Sequence, residues 1–378
     1  MNLIERNHCA ISGKEDMEHL FSFPQFPVFM GCVNQAFETD LKEDMNWWIS
    51  RDSGLIQLNK LLPLEIVYPA SHGSGAIGTV WNKHHKEFAH FLHKKSPSAV
   101  LELGGAHGIL AKEFHQFTTI PWTILEPNPS PVEGCQARFI KGFFNDQFNH
   151  DEAFDTVVHS HVFEHMYDPD QFMKQLATFM NEGQNLIFSL PNLQVWLERN
   201  YTSCINFEHT IFLTEPYVEF LLAKHGFKLV SKEYFMEDHS IFYAAIRDRS
   251  IASIKLPDDL YKKNKQLYLN FIDYHQKLIS DLNEKMKPSK QPIYLFGAHV
   301  FAQYLVAFGL DTNRIISLLD NDLRKQSKRL YGTHLMVQSP HILKNIESPI
   351  VILKAGAYNQ EIKEDILKNI NPLVTFFE

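Results

Sequence analysis

Four cysteines in 378 residues, at positions 9, 32, 135 and 204, are too few and too scattered for a disulfide framework. That scarcity suits a reducing compartment, and a cytoplasmic location is expected. No stretch approaches the roughly 18 uninterrupted apolar residues of a membrane-spanning helix, so no membrane partner is expected. The opening MNLIERNHCA does not have the basic-then-apolar layout of a secretory signal. Positive charge is also short, since 36 lysines and arginines against 44 acids leave a net charge of −8. That balance opposes a nucleic-acid partner, which demands clustered cations. What the chain has in quantity is apolar residues, at 44%, ample for the cores of two or three domains at about 150 residues each.

The most informative stretch is VLELGGAHGILAKEF, Val100 to Phe114, followed by WTILEPNP, Trp122 to Pro129. A hydrophobic strand runs into a glycine turn, a helix follows, and a second strand ends in a carboxylate. Glycines at 104, 105 and 108 allow the backbone to approach a ligand closely, and Glu126 is placed to accept hydrogen bonds from a ribose diol. The turn GGAHG does not have the GxGxxG spacing of a dinucleotide site, and Glu102 behind it would repel a pyrophosphate. A carboxylate there suits the cationic amino acid end of S-adenosylmethionine, the expected cofactor. Packing of an ordinary α/β unit also uses glycine after a strand.

Further alternation follows. Ala137 to Phe148 reads as a third strand and a loop whose Phe143 or Phe144 could cover an adenine face or pack in the core. Phe154 to His159 reads as a buried fourth strand, with Ser160 to His165 as the loop at its carboxyl end, where open α/β sheets bind ligands. A helix over Pro169 to Met180 and a strand over Asn185 to Asn192 continue the pattern, which implies parallel βαβ units. A glycine-containing stretch, Tyr68 to His85, leads into a helix with Trp81, His84, Phe88, Phe91 and Leu92 on one stripe. Its Tyr68 and His72 are candidate substrate contacts, and the same stretch also reads as a plain domain-joining turn.

This order of elements resembles a class I S-adenosylmethionine-dependent methyltransferase domain. With Asp44 to Leu58, Cys204 to Phe227 and Ile293 to Leu305 added, the chain is similar to the sugar C-methyltransferase family, whose members act on nucleotide-linked 4-keto-deoxysugars. The resemblance implies an α/β fold in which a Rossmann-like sheet of the class I kind carries a ribbon-like N-terminal lobe and a Rossmann-like C-terminal domain. The expected divisions are 1–70, 71–250, a connecting amphipathic helix and linker over 251–292, and 293–378. The cofactor's methionine end would rest on Glu102, Gly104 and Gly105 at the turn closed by Gly108. Its ribose would lie on Glu126, its adenine near Phe143 and its sulfonium near Ser160 and His161.

Two departures from that family bear on function. Its zinc ribbon uses two CxxC pairs, whereas the matching positions here are Cys9 with Ser12 and Ser50 with Ser53. Serine hydroxyls do not replace thiolates on zinc, so no metal is expected and the lobe should fold on aromatic contacts from Phe21, Phe23, Phe26, Phe29, Trp47 and Trp48. The family's Tyr-His-Glu-His stretch aligns with Asn206, Phe207, Glu208 and His209. The resemblance therefore places the base that removes a proton at His209, beside Glu208, with Asn206 where a tyrosine assists. His161 is the second choice of base, His165 is a candidate substrate contact, and His107 lies in the cofactor turn.

The expected function is methyl transfer to a nucleotide-linked sugar or related small metabolite, with carbon favoured over oxygen as acceptor. The alternative is an inactive scaffold subunit that binds the donor or a sugar nucleotide. Monomer and homodimer are both open. In the C-terminal part, Asp320 and Lys325 fall in a run assigned by resemblance to substrate support, and the turn Gly297, Ala298, His299 carries only part of a dinucleotide fingerprint.

Overall fold

The computed structural model describes residues 2–67 and 78–378. Tyr68 and His72, the two candidate substrate contacts, lie outside the described residues.

In the N-terminal part, alternation of buried and outward side chains builds a three-stranded antiparallel sheet from β1 (Met17–Pro27), β2 (Lys42–Ser50) and β3 (Ile56–Leu58), in that spatial order. Met45, Trp47 and Ile49 point inward at the period of two that a pleated strand imposes. Phe23, Phe26 and Trp47 are buried, and Phe21, Phe29 and Trp48 are half-buried. The positions of the lost CxxC pairs still meet. The Cys9 thiol lies 3.2 Å from the Ser53 hydroxyl, Ser12 N–H donates to Cys9 Sγ, and Ser50 Oγ donates to the Asp16 carboxylate at 3.0 Å. Hydroxyl and thiol hydrogen bonds thus hold together two turns that the resemblance assigns to a metal. Cys32 lies apart, with its thiol donating to Ala298 O in the C-terminal part.

The central sheet has seven strands. The helix α1 (Thr79–His93) precedes β4 (Val100–Leu103), α2 (Ile109–Phe114), β5 (Trp122–Glu126), β6 (Arg138–Lys141) and β7 (Thr156–Ser160). Then come α3 (Pro169–Phe179), β8 (Asn185–Pro191), α4 (Glu215–Lys224), β9 (Phe227–Phe235) and β10 (Ser240–Arg247). The spatial order is β9-β10-β8-β7-β4-β5-β6, with β10 antiparallel to both of its neighbours and the rest of the pairs parallel. Both faces are covered, which is why β4, β7 and β8 read as nearly continuous apolar runs. Val100, Val158 and Ile187 pack under α1 and α2 with Phe88, Leu110 and Phe114, while Leu101, Val157 and Phe188 pack on the other face with Phe163 and Met173. Asp168 caps α3 by accepting from Gln171 N, and Pro169 starts it.

The 27-residue helix α5 (Leu260–Met286) lies within the expected connecting segment 251–292. It packs Tyr268, Phe271 and Ile272 into the large core and Ile279, Leu282 and Met286 into the C-terminal one. It therefore joins the two. The C-terminal part is a five-stranded parallel sheet in the order β13 (Val337–Gln338), β12 (Ser317–Leu319), β11 (Ile293–Phe296), β14 (Ile350–Leu353), β15 (Thr375–Phe377), with α6 (Val300–Ala307) after β11. Among the described residues no helix is long and apolar enough to cross a membrane.

Candidate functional site

The carboxyl ends of β4, β5 and β7 form the rim where the sequence placed the cofactor. Gly104 and Gly108 take φ of +71° and +69°, and Ala106 takes +40°, so the turn reverses sharply between β4 and α2. A Cβ at Gly105 would stand 2.6 Å from Glu102 Cδ, and one at Gly108 would stand 2.4 Å from Cys135 Sγ. These two glycines are required by the turn's own packing. Glu126 closes the turn from β5. Its carboxylate accepts from Ala106 N at 3.1 Å and from Asn128 N at 2.9 Å, and the side chain remains half-buried at the strand end.

Glu102 lies beneath the turn. It is buried, takes a hydrogen bond from Trp122 Nε1 at 2.8 Å, and is covered by Gly105. Burial pushes its carboxyl up to about 7, against the pull of the Trp122 N–H and with a smaller push from Glu126. Phe143 stands 63% exposed on the loop after β6, whereas Phe144 packs against Phe148, Phe172 and Phe179. Of the two rings, Phe143 is the one free to meet a ligand. His107 donates from Nδ1 to Ser130 O at 2.8 Å and ties the turn to the loop after β5.

Opposite this rim runs the loop 204–213. Every residue of it is buried except His209, which is half-buried. Asn206 explains the local shape: its Oδ1 accepts from Glu208 N at 2.8 Å and His209 N at 3.0 Å, and its Nδ2 donates to Ser203 O. The expectation that Asn206 stands in for a substrate-facing tyrosine is corrected here, because its polar atoms hold the backbone that carries His209. His209 Nδ1 lies 3.2 Å from Cys204 O. A carbonyl only accepts, so Nδ1 donates to it, and in the neutral ring the lone pair is then on Nε2. The His165 ring sits 4.8 Å from the His209 ring, and Glu164, His165 and His209 each bring a polar atom within 4.8 Å of the others. Glu164 is 1% exposed, and its carboxyl is pushed up by burial.

His161, the second choice of base, touches that group through Nδ1, 3.1 Å from the Glu164 carboxyl. It takes φ of +53° after Ser160 and directs its ring among Trp81, His84 and His239. Burial, with repulsion from His85, drops its imidazole to about 3, which makes it a weak proton acceptor near neutrality. In the C-terminal part Asp320 accepts from Ala298 N and from Lys325 Nζ, both at 3.0 Å, so this carboxylate is engaged by its own glycine turn.

Arg6 was not foreseen. It is buried at 4% exposure and its guanidinium donates to the carbonyls of Leu58, Tyr167 and Thr210 at 2.8–3.0 Å. Burial lowers it to about 10. A lone arginine in a polar N-terminal stretch gives no sign of this role, since its partners lie 52, 161 and 204 residues away.

A family model described as a methyltransferase domain matches residues 80–232. A search of curated proteins found no match. Among solved structures, the chain is similar to magnesium protoporphyrin IX methyltransferase from Synechocystis PCC 6803 with bound SAH, at 15% identity over 46% of this chain and 89% of that one, TM-score 0.36. It is also similar to 1,6-didemethyltoxoflavin-N1-methyltransferase from Burkholderia thailandensis, at 14% identity over 47% and 81%, TM-score 0.37. The N-methyltransferase NodS from Bradyrhizobium japonicum WM9 matches at 14% over 45% and 97%, TM-score 0.35. On the family match and the order of its strands, the central part of the chain is a class I methyltransferase domain, an enzyme domain that uses S-adenosylmethionine.

Proposed function

We propose that the chain transfers a methyl group from S-adenosylmethionine to a nucleotide-linked sugar, with His209 as the general base. The observation that supports this reading most is the loop 204–213, in which a buried, hydrogen-bonded backbone presents one half-buried imidazole whose Nδ1 is held by the Cys204 carbonyl. Bound S-adenosylmethionine supplies an electrophilic methyl group. The protein's share of the work is to align the acceptor and remove its proton.

In this reading Glu126 holds the ribose hydroxyls, backbone at Gly104 and Gly105 meets the methionine end above the buried carboxyl of Glu102, and Phe143 covers the adenine. Ser160 borders the methyl group, while His165 and Glu208 line the acceptor side with His209. The half-buried carboxylate at the end of β5 and the exposed Phe143 ring fit a nucleoside. The parts 1–70 and 293–378 support the substrate, and 251–292 connect them to the catalytic part.

A keto-deoxysugar methylated at carbon is the favoured acceptor, on the resemblance to the sugar C-methyltransferase family. One observation favours a hydroxyl acceptor as a second reading: Asn206 is engaged with the loop backbone and is not available to steady an enolate. The test is to incubate the protein with methyl-labelled donor and a panel of nucleotide-linked keto-sugars and their reduced counterparts. Label should pass to a keto-sugar, with the methyl carbon bonded to a ring carbon in the NMR spectrum of the product. Label on the reduced sugars alone would select oxygen, and binding with no transfer to any sugar would support the scaffold alternative.

A further inference from the structure

Three histidines from separate elements meet at the carboxyl ends of the central strands, on the far side of β7 from His209. His84 comes from the second turn of α1, His161 follows β7, and His239 immediately precedes β10. Each offers a ring nitrogen within 4.8 Å of the other two, whereas ligands on a tetrahedral zinc stand about 3.4 Å apart, at zinc–nitrogen distances of about 2.0–2.1 Å. Small ring rotations close that difference.

Four features of the cluster point to an absent ligand. First, His84 and His239 are 0% and 1% exposed, yet His84 Nδ1 and His239 Nε2 have no hydrogen-bond partner. An unbonded buried ring nitrogen is available to a ligand. Second, the remaining nitrogens are oriented by neighbours, as the outer partners of metal-bound imidazoles are. His84 Nε2 pairs with Ser189 Oγ at 2.9 Å, and the Ser240 hydroxyl lies 2.7 Å from His239 Nδ1; His161 Nε2, 2.9 Å from the same hydroxyl, exchanges that contact for the ion. Third, the Glu164 carboxyl stands 3.1 Å from His161 Nδ1 and orients that ring. Fourth, His161 accepts a left-handed φ of +53° to bring its ring into the group.

The surroundings agree. Trp81, Phe235 and Phe242 wall the group with aromatic rings.

We propose that His84, His161 and His239 form a binding site for one divalent transition-metal ion of zinc's class. The ion fastens α1, which follows the residues outside the description, to the ends of β7 and β10 beside the methyl-donor rim. This departs from the expectation of a metal-free chain, which rested on the lost cysteines of the N-terminal lobe. It also stands apart from the sugar reading, since the ligands include none of the residues assigned to the acceptor.

The full chain, stripped with chelator, is titrated with cobalt(II) chloride while the visible absorption is recorded. The expected result is a saturable d–d band reaching its plateau at one ion per chain. It should weaken roughly tenfold or more in affinity in His84→Gln and in His239→Gln, and persist in His209→Ala. Zinc should raise the melting temperature of the parent chain and leave that of His239→Gln unchanged. No band in the parent chain, a band indifferent to both glutamine variants, or a band lost in His209→Ala would overturn the proposal. Should the variants fail to fold, the parent titration still decides, because an absent band rules the site out.

Discussion

Glu102 shows how a single buried carboxyl ties the cofactor turn to pH. Its ordinary value is 4.5, and burial raises it to about 7 in the folded chain. The folded state therefore keeps this proton where the unfolded state has lost it. Stability supplied by the group is full below about pH 4.5 and falls as pH rises to about 7, by an amount of order 3 kcal/mol. Glu102→Gln keeps an acceptor for the Trp122 N–H and removes the ionisation. In urea unfolding without donor, the variant should match the parent at pH 4.5 and exceed it at pH 8; equal stability at both would contradict this account. The residue scale is also where the sequence was least legible. Asn206 aligned with a tyrosine and was read as a donor to substrate, and only the fold reveals that its amide is engaged by Ser203, Glu208 and His209. His84 and His239 are two of twenty histidines, 155 residues apart, with nothing in their local sequence to pair them.

Among the elements, the loop 204–213 matters most, and its rigidity is borrowed from others. Strand β3 bonds to it through Leu58 N to Thr210 O and Phe212 N to Ile56 O, both at 2.9 Å. Arg6 then clamps β3, the loop and Tyr167 together through three carbonyls. Arg6→Met removes the donors; Thr210 O keeps its bond from Leu58 N, and each buried acceptor left unpaired costs about 1–3 kcal/mol. Turnover should fall roughly tenfold while donor affinity in calorimetry stays the same, since the rim at β4 and β5 is untouched. A parallel loss of donor binding would place Arg6 in a different role. The strands were readable because β4, β7 and β8 are short apolar runs bounded by Gly, Asn and Asp, and α1, α3 and α5 because their apolar residues recur at helical spacing. The loop's support was not readable, because hydrogen bonds to backbone carbonyls leave no pattern in side-chain identity.

Across the whole molecule, three parts share one core. Phe23, Phe26 and Trp47 from the N-terminal lobe, Phe207 from the loop, and Tyr268, Phe271 and Tyr304 from α5 and α6 are one continuous cluster. Tyr304 reaches the loop directly, its hydroxyl donating to Ile205 O. At the far side, Asp40 receives both Arg329 NH groups at 2.6 Å and the Gly332 N–H at 2.7 Å. Burial opposes its charge, yet these donors hold the carboxyl below the ordinary value. Asp40→Ala strands the Arg329 guanidinium, which is 9% exposed, and should cost about 3 kcal/mol in urea unfolding. A loss under about 0.5 kcal/mol, as for an exposed pair, would show that the two parts are not held there. On the reading proposed above, the donor rim comes from the central sheet and the base from a loop held by the other two parts. The most direct measurement of that claim is His209→Ala assayed by donor calorimetry and by transfer of labelled methyl to the accepted sugar. The account predicts unchanged donor affinity with turnover reduced by about 10²–10⁴. Undiminished turnover, or donor binding lost along with it, would contradict it.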